Sequence, residues 1–284
     1  MKRVSLVFLV AMGLLAAPAS LAAASVTIGQ LAPGIAASAC GTGSVDRLSP
    51  TVTSGNDYVV PATGGITSWT LTSWSHNASF EVGQALTMKV FRQVAGLTYS
   101  VVGHDGPRNL TANGVNTFPT SIPVRSGDIL GSRTGPDAFA GACFFSGGGT
   151  LLYGFGDLAD GAAATFTATT GLRVNVSAVT TPSNSFSLGK AKSNEKKGTA
   201  TLNFNLPNPG ELTGSGNGVR AASAGAVISK SVAAGPAQLL IKAKGKKKKT
   251  LNETGKVKLN VAVTYTPTNG DPSTQSVRLK LIKR

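Results

Sequence analysis

The chain has 284 residues, with a formal net charge of +15, and that charge falls almost entirely on its last third. Ser25 to Pro182 holds seven Lys/Arg against eight Asp/Glu, and Ser183 to the end holds eighteen against four. A block of one sign on a folded unit speaks of partners rather than of fold. Two cysteines and two histidines, with no C-x-x-C or H-x-x-x-H spacing, argue against a structural zinc site.

Lys2 and Arg3 precede an apolar stretch, Val4–Ala17, which Pro18 to Ser20 break before the small residues Ala22-Ala23-Ala24. This reads as a signal peptide over residues 1–24, cleaved before Ser25 or after Ala22. The stretch is short of the roughly 20 residues that span a bilayer, and no later segment is long and apolar enough to do so. The expected mature protein is exported, extracellular or held at the cell surface. In that setting Cys40 and Cys143 predict one disulfide, with two free buried thiols as the alternative. No cysteine follows the cleavage region to carry lipid. Leu206-Pro-Asn-Pro-Gly210 is internal and lacks the Thr and apolar tail of a wall-sorting signal, so it reads as a turn. Surface retention is therefore expected to be non-covalent.

Residues 25–179 predict an all-β, jelly-roll-like sandwich. Ile66–Thr72 does not alternate cleanly, and the five-residue spacing of Trp69 and Trp74 would place them on opposite faces of one strand. Leu86–Arg92 alternates with Leu86, Met88 and Val90 inward and Lys89 outward. Further strands follow at 99–103, 116–122, 124–131, 141–145, 150–155, 164–170 and 173–179, the spacing of a sandwich. Thr180–Asn184 reads as a linker.

Residues 185–284 predict a second, immunoglobulin-like sandwich without its Cys…Trp…Cys core. Leu202, Phe204 and Leu206 share a face, as do Leu239, Ile241 and Ala243. Val257, Leu259, Val261, Val263 and Tyr265 alternate with polar residues, and Thr268–Pro272 turns that strand into the one bearing Val277, Leu279 and Leu281. The Ala-rich piece 221–226 is too short and interrupted to predict a helix.

The runs Phe186–Lys190, Lys196–Leu202, Leu251–Leu259 and Val263–Pro267 resemble a basic C-terminal Ig-like module of exported, mostly uncharacterised proteins of high-GC Gram-positive bacteria. Gly64–Trp69, Val90–Arg92 and Val124–Gly131 resemble the jelly-roll modules that accompany it. The resemblance implies display outside the cell and carries no catalytic residues.

Chemistry is thinly signalled. No G-x-S-x-G is present, and Gly214–Gly218 has its glycines misplaced for a nucleophile elbow. His104-Asp105-Gly106 reads as a turn rather than a base with its orienter. Asp157 and Asp160, bounded by Gly161, are candidate ligands for a structural Ca2+; otherwise no cofactor is expected. Trp69 and Trp74 are candidate glycan-stacking platforms, with core packing as the alternative.

Lys242, Lys244, Lys246, Lys247, Lys248 and Lys249 form the densest cationic run, expected as a hairpin-like tip. Lys190, Lys192, Lys196 and Lys197 form a second cluster, and Lys256, Lys258, Lys280 and Lys283 decorate strands. Only Arg220, Arg278 and Arg284 accompany them, and no aromatic stacking platform does, which disfavours nucleic acid. An anionic cell-wall polymer or acidic glycan is the expected partner. The expected function is a non-enzymatic surface binding or structural protein retained by its basic domain. The alternative is a carbohydrate-active enzyme or glycan-binding module with its site in the first domain.

Overall fold

The computed structural model describes residues 24–33, 37–38, 40, 43–135, 142–219 and 227–284. The leader through residue 23, Arg220 and the Ala-rich piece 221–226 lie outside the described residues.

The first unit runs through β1 (Val26–Gln30), β2 (Ala37–Ser38), β3 (Val45–Val52), β4 (Ser68–Ala78), β5 (Ala85–Ala95), β6 (Thr98–Asn109), β7 (Gly114–Arg125), β8 (Ile129–Thr134), β9 (Phe144–Phe155), β10 (Ala163–Thr165), β11 (Thr167–Val174) and β12 (Val176–Pro182). One antiparallel sheet has the order β1-β12-β4-β7, and the other contains β6-β5-β8-β3. The chain crosses between the sheets at β3–β4, β4–β5, β6–β7, β7–β8 and β11–β12, as in a jelly roll. The second sheet is widened by β10 beyond β6, by β9 and β11 beyond β3, and by β2 on β9. Between the sheets Leu71, Trp74, Met88 and Leu130 are fully buried, while Leu48 and Leu152 are buried on the opposite face of the wider sheet. Cys40 and Cys143 are disulfide-bonded, as expected.

Two features of this unit depart from the sequence reading. Trp69 and Trp74 do not diverge. Relative to β12, β4 has an extra residue at Thr72, because Leu71 and Ser73 face the consecutive partners Thr180 and Val179. That bulge resets the alternation, so Trp69, Leu71, Trp74 and His76 all point inward. Lys89 does lie on the face opposite Met88 and Val90, yet it is 2% exposed. The outer face of this sheet is covered: Lys89 meets Leu158, and Phe91 packs edge-on against Phe166, with ring centroids 5.6 Å apart. The expected linker also shortens, since Thr180–Pro182 continue β12 against β4.

The second unit comprises β13 (Ser187–Leu188), β14 (Lys192–Asn194), β15 (Thr199–Leu206), β16 (Gly210–Ser215), β17 (Val227–Val232), β18 (Gly235–Lys242), the helix α1 (Gly245–Thr254), β19 (Lys256–Pro267) and β20 (Ser273–Ile282). β13 and β14 pair along one side of β15, and β18 takes the other; the facing sheet has the order β17-β16-β19-β20. This is an immunoglobulin-like sandwich. The alternating faces of β15, β18 and β19 meet in a core containing Leu202, Ile241, Val261, Val263 and Tyr265. The β19–β20 hairpin turns where sequence places it, with Asn269 in the left-handed region at φ 55°.

The units are joined by more than the chain. Asn208, in the turn between β15 and β16, is fully buried against the first unit. Its Nδ2 donates to Ser68 O at 2.8 Å, and its Oδ1 accepts from the Thr67 and Ser68 amides. The Tyr265 hydroxyl donates to Asn208 O at 2.7 Å, holding the turn from behind.

Candidate functional site

The lysine run is not a hairpin tip: Lys242 ends β18, Lys244 is the N-cap, and Lys246–Lys249 lie in helix α1. Lysine is a good helix former, and like charges spaced i,i+4 on an exposed helix cost only about 0.2–0.5 kcal/mol per pair. Gly255 stops the helix in the left-handed conformation at φ 69°, its N–H bonding to Leu251 O, and buried Leu251 anchors the helix to the core. At the other end the Lys244 N–H donates to Gly218 O at 2.6 Å. Gly218 has φ +78°, and a Cβ there would lie 2.3 Å from Lys247 Cγ, so this approach needs glycine.

The helix lies between two basic hollows. One, of about 510 Å³, is lined by Lys197, Lys242, Lys244, Lys248 and Lys283. The other, of about 590 Å³, is lined by Lys247, Lys258, Arg278 and Lys280, with Asn217 and Asn260 between them. Lys246 and Lys249 stand exposed on α1 itself. Lys249 makes a long 3.8 Å ion pair with Glu253 between exposed side chains. Among the described residues, Lys242, Lys244, Lys246, Lys247 and Lys248 make no ion pair with a carboxylate. Lys258 stands directly opposite Lys280 across the β19–β20 ladder, a like-charge pairing that costs stability. Sequence reasoning found these lysines but not their grouping, because each hollow draws on segments far apart in the chain.

The first unit carries a polar cleft of about 530 Å³ on the covered face of its wider sheet, lined by Thr87, Lys89, His104, Arg133, Asp157 and Asp160. Asp157 and Asp160, the candidate Ca2+ ligands, are engaged by different basic partners. Asp157 Oδ1 pairs with Lys89 Nζ at 2.8 Å and Arg133 Nε at 3.1 Å, while Asp160 pairs with His104 Nδ1 at 2.8 Å. Each carboxylate already has a basic partner from a neighbouring strand. Among the described residues, no three His, Cys, Asp or Glu gather as a metal site. Asp46 is 1% exposed and lies beneath, 2.8 Å from Lys89 Nζ.

His104 and Asp105 lie within β6 rather than in a turn and diverge, His104 to Asp160 and Asp105 to Trp74 Nε1 at 2.6 Å and to Arg108. Both tryptophans are withdrawn from solvent, Trp69 at 2% and Trp74 at 0% exposure, so neither offers a stacking face. The candidate glycan-stacking role of Trp69 and Trp74 gives way to the core-packing alternative, both rings being turned inward by the Thr72 bulge.

The fold and its charged surface define an all-β, two-sandwich protein with a basic helix-centred face. In comparison with known proteins, the chain matches no family model and none of the curated sequences.

Proposed function

We propose that the chain is an exported, non-enzymatic binding protein of a bacterial surface, held on anionic wall polymer or acidic glycan by its second sandwich. The observation that carries this reading is the pair of basic hollows flanking α1, whose lysines have so few acidic neighbours. A positive surface that is not neutralised internally leaves its charge for an outside partner. Lysine supplies point charges without the planar fork of arginine, which suits a flexible phosphate or carboxylate polymer better than a fixed bidentate site. The scarcity of exposed aromatics beside the lysines argues against single-stranded nucleic acid.

The test is retention of the full mature chain on an immobilised polyglycerol-phosphate polymer, with an uncharged polysaccharide as control. Binding to the anionic polymer alone, released as salt shortens the screening length from about 8 Å at 0.15 M to about 3 Å at 1 M, supports the reading. Equal retention on both polymers, or on neither, would overturn it.

A further inference from the structure

We infer that the Lys89 amine and the Asp46 carboxyl of the first sandwich condense into an intramolecular isopeptide bond, with Asp157 relaying the protons. The two side chains come from β5 and β3, which are not neighbours, since β8 runs between them. Lys89 Nζ lies 2.8 Å from Asp46 Oδ1, and the side chains are 2% and 1% exposed. Asp46 Oδ2 is fixed by the Leu158 N–H at 3.0 Å. Oδ1 makes no hydrogen bond in spite of its contact with the amine. The carboxyl is thus pinned by one oxygen while the amine sits against the other, off the hydrogen-bonding direction. Reacting groups held within about 3–3.5 Å in fixed orientation are the condition for an intramolecular reaction to outrun its bimolecular counterpart.

The protonation states suit the step. Burial pushes the Asp46 carboxyl up, more than the close contact with Lys89, the Leu158 N–H and the charge of Lys89 together pull it down, which favours the neutral, electrophilic acid. Asp157 differs: burial opposes its ionisation, but the hydrogen bond and charge of Lys89, with Arg133 and His104, outweigh that and hold it below the usual carboxylate range. Its Oδ1 is 2.8 Å from Nζ, and its side chain is 53% exposed, so it reaches both the amine and water.

The Lys89 ammonium gives one proton to the Asp157 carboxylate, leaving a neutral amine. The nitrogen lone pair attacks Cγ of the protonated Asp46, forming the C–N bond and opening the C=O bond. Loss of a second proton from nitrogen and its delivery through Asp157 to the hydroxyl let that oxygen leave as water. The amide C=O re-forms, and Asp157 returns its remaining proton to solvent. One amide and one water result, with no oxidant or reductant. A buried charge carries a heavy desolvation cost, and this product replaces the buried Lys89 ammonium with a neutral link over β8.

The test is the intact mass of the full mature chain, denatured and with its disulfide reduced, against the mass calculated from its sequenced N-terminus. We expect complete conversion, lighter by one water, with peptide fragmentation placing the link between Lys89 and Asp46. Lys89→Arg should restore the full mass, and Asp46→Asn should form the same link with loss of ammonia instead of water. A wild-type chain at full mass overturns the inference. So does a water deficit that fragmentation maps to an Asp-Gly step. Because the wild-type measurement decides by itself, a variant that fails to fold does not shield the idea.

Discussion

Asn208 of the second sandwich and Ser68 of the first exchange two hydrogen bonds, Nδ2 donating to Ser68 O at 2.8 Å and Oδ1 accepting from Ser68 N at 3.1 Å. A side-chain amide here copies the donor–acceptor pair of a strand residue and closes the end of β4 across a domain boundary. The same Nδ2 also reaches Ser183 O at 3.1 Å. Asn208→Ala would remove these bonds at about 1–3 kcal/mol for each group left unsatisfied, with Ser68 O keeping the Ser183 N–H at 3.0 Å. We expect a lower unfolding midpoint and, in small-angle scattering, a broader distribution of interdomain distances. An unchanged distribution would show that the amide does not hold the two units together.

The lysine face gives a second expectation. Lys244→Gln, Lys247→Gln and Lys248→Gln together remove charge from both hollows without touching the buried anchor Leu251. At about 0.2–1 kcal/mol for each exposed charge contact, the triple variant should lose roughly tenfold in affinity for anionic polymer. Its thermal midpoint should hold or rise, since like-charge repulsion is relieved. Affinity in low salt is the readout, and an unaltered value would place the binding surface elsewhere.

His76 makes acid stability testable. Burial lowers its pKa to about 4 from 6.5, against the pull of the Asn175 carbonyl that accepts from Nδ1 at 2.6 Å. The sign follows directly. Above pH 6.5 the imidazole is neutral in folded and unfolded chains alike. As pH falls from 6.5 towards 4, the unfolded chain takes up a proton that the folded chain refuses, so stability is lost over that window. The loss should reach about 3 kcal/mol. Urea midpoints at pH 7 and pH 4.5 should differ by correspondingly less in His76→Gln.

Opening the disulfide should cost the first unit much of its margin. The bond closes a sequence separation of 103 residues, for which loop-closure entropy gives about 4–5 kcal/mol as an upper value. Paired Cys40→Ser and Cys143→Ser changes should lower the unfolding midpoint, as should reduction of the wild type. Should reduction leave the wild-type midpoint unmoved, the native sheet pairing of β2 and β9 would be carrying that constraint unaided.

Much of this architecture is legible in the sequence where one face is solvated. Val257 to Tyr265 alternate inward as their pattern demands, and the β19–β20 turn announces itself through Asn269-Gly270. Legibility fails where a second layer covers a strand. Lys89 alternates correctly, but the segment around Leu158 and Phe166 that buries its face lies some way along the chain and carries no periodicity to announce itself. The tryptophans failed for a local reason, since a bulge shifts parity by one and spacing alone does not reveal it. Helix α1 is hard to read because like charges repel, but water screens that repulsion, and lysine's helix propensity with the stop at Gly255 decides the conformation. The hollows could not be foreseen, because Lys197, Lys242 and Lys283 come together only when three distant segments fold.

Placing cationic hollows on both sides of one helix has a mechanical consequence. An α-helix with its side chains is about 10–12 Å across, so a single flexible polymer can bridge the two hollows without leaving the surface. Occupying one raises the effective concentration at the other, and letting go requires both to open together. Individually feeble contacts then produce long residence, while either hollow can trade one stretch of polymer for the next. With the anionic polymer proposed above as ligand, such a surface would hold the protein and still let it move along the polymer.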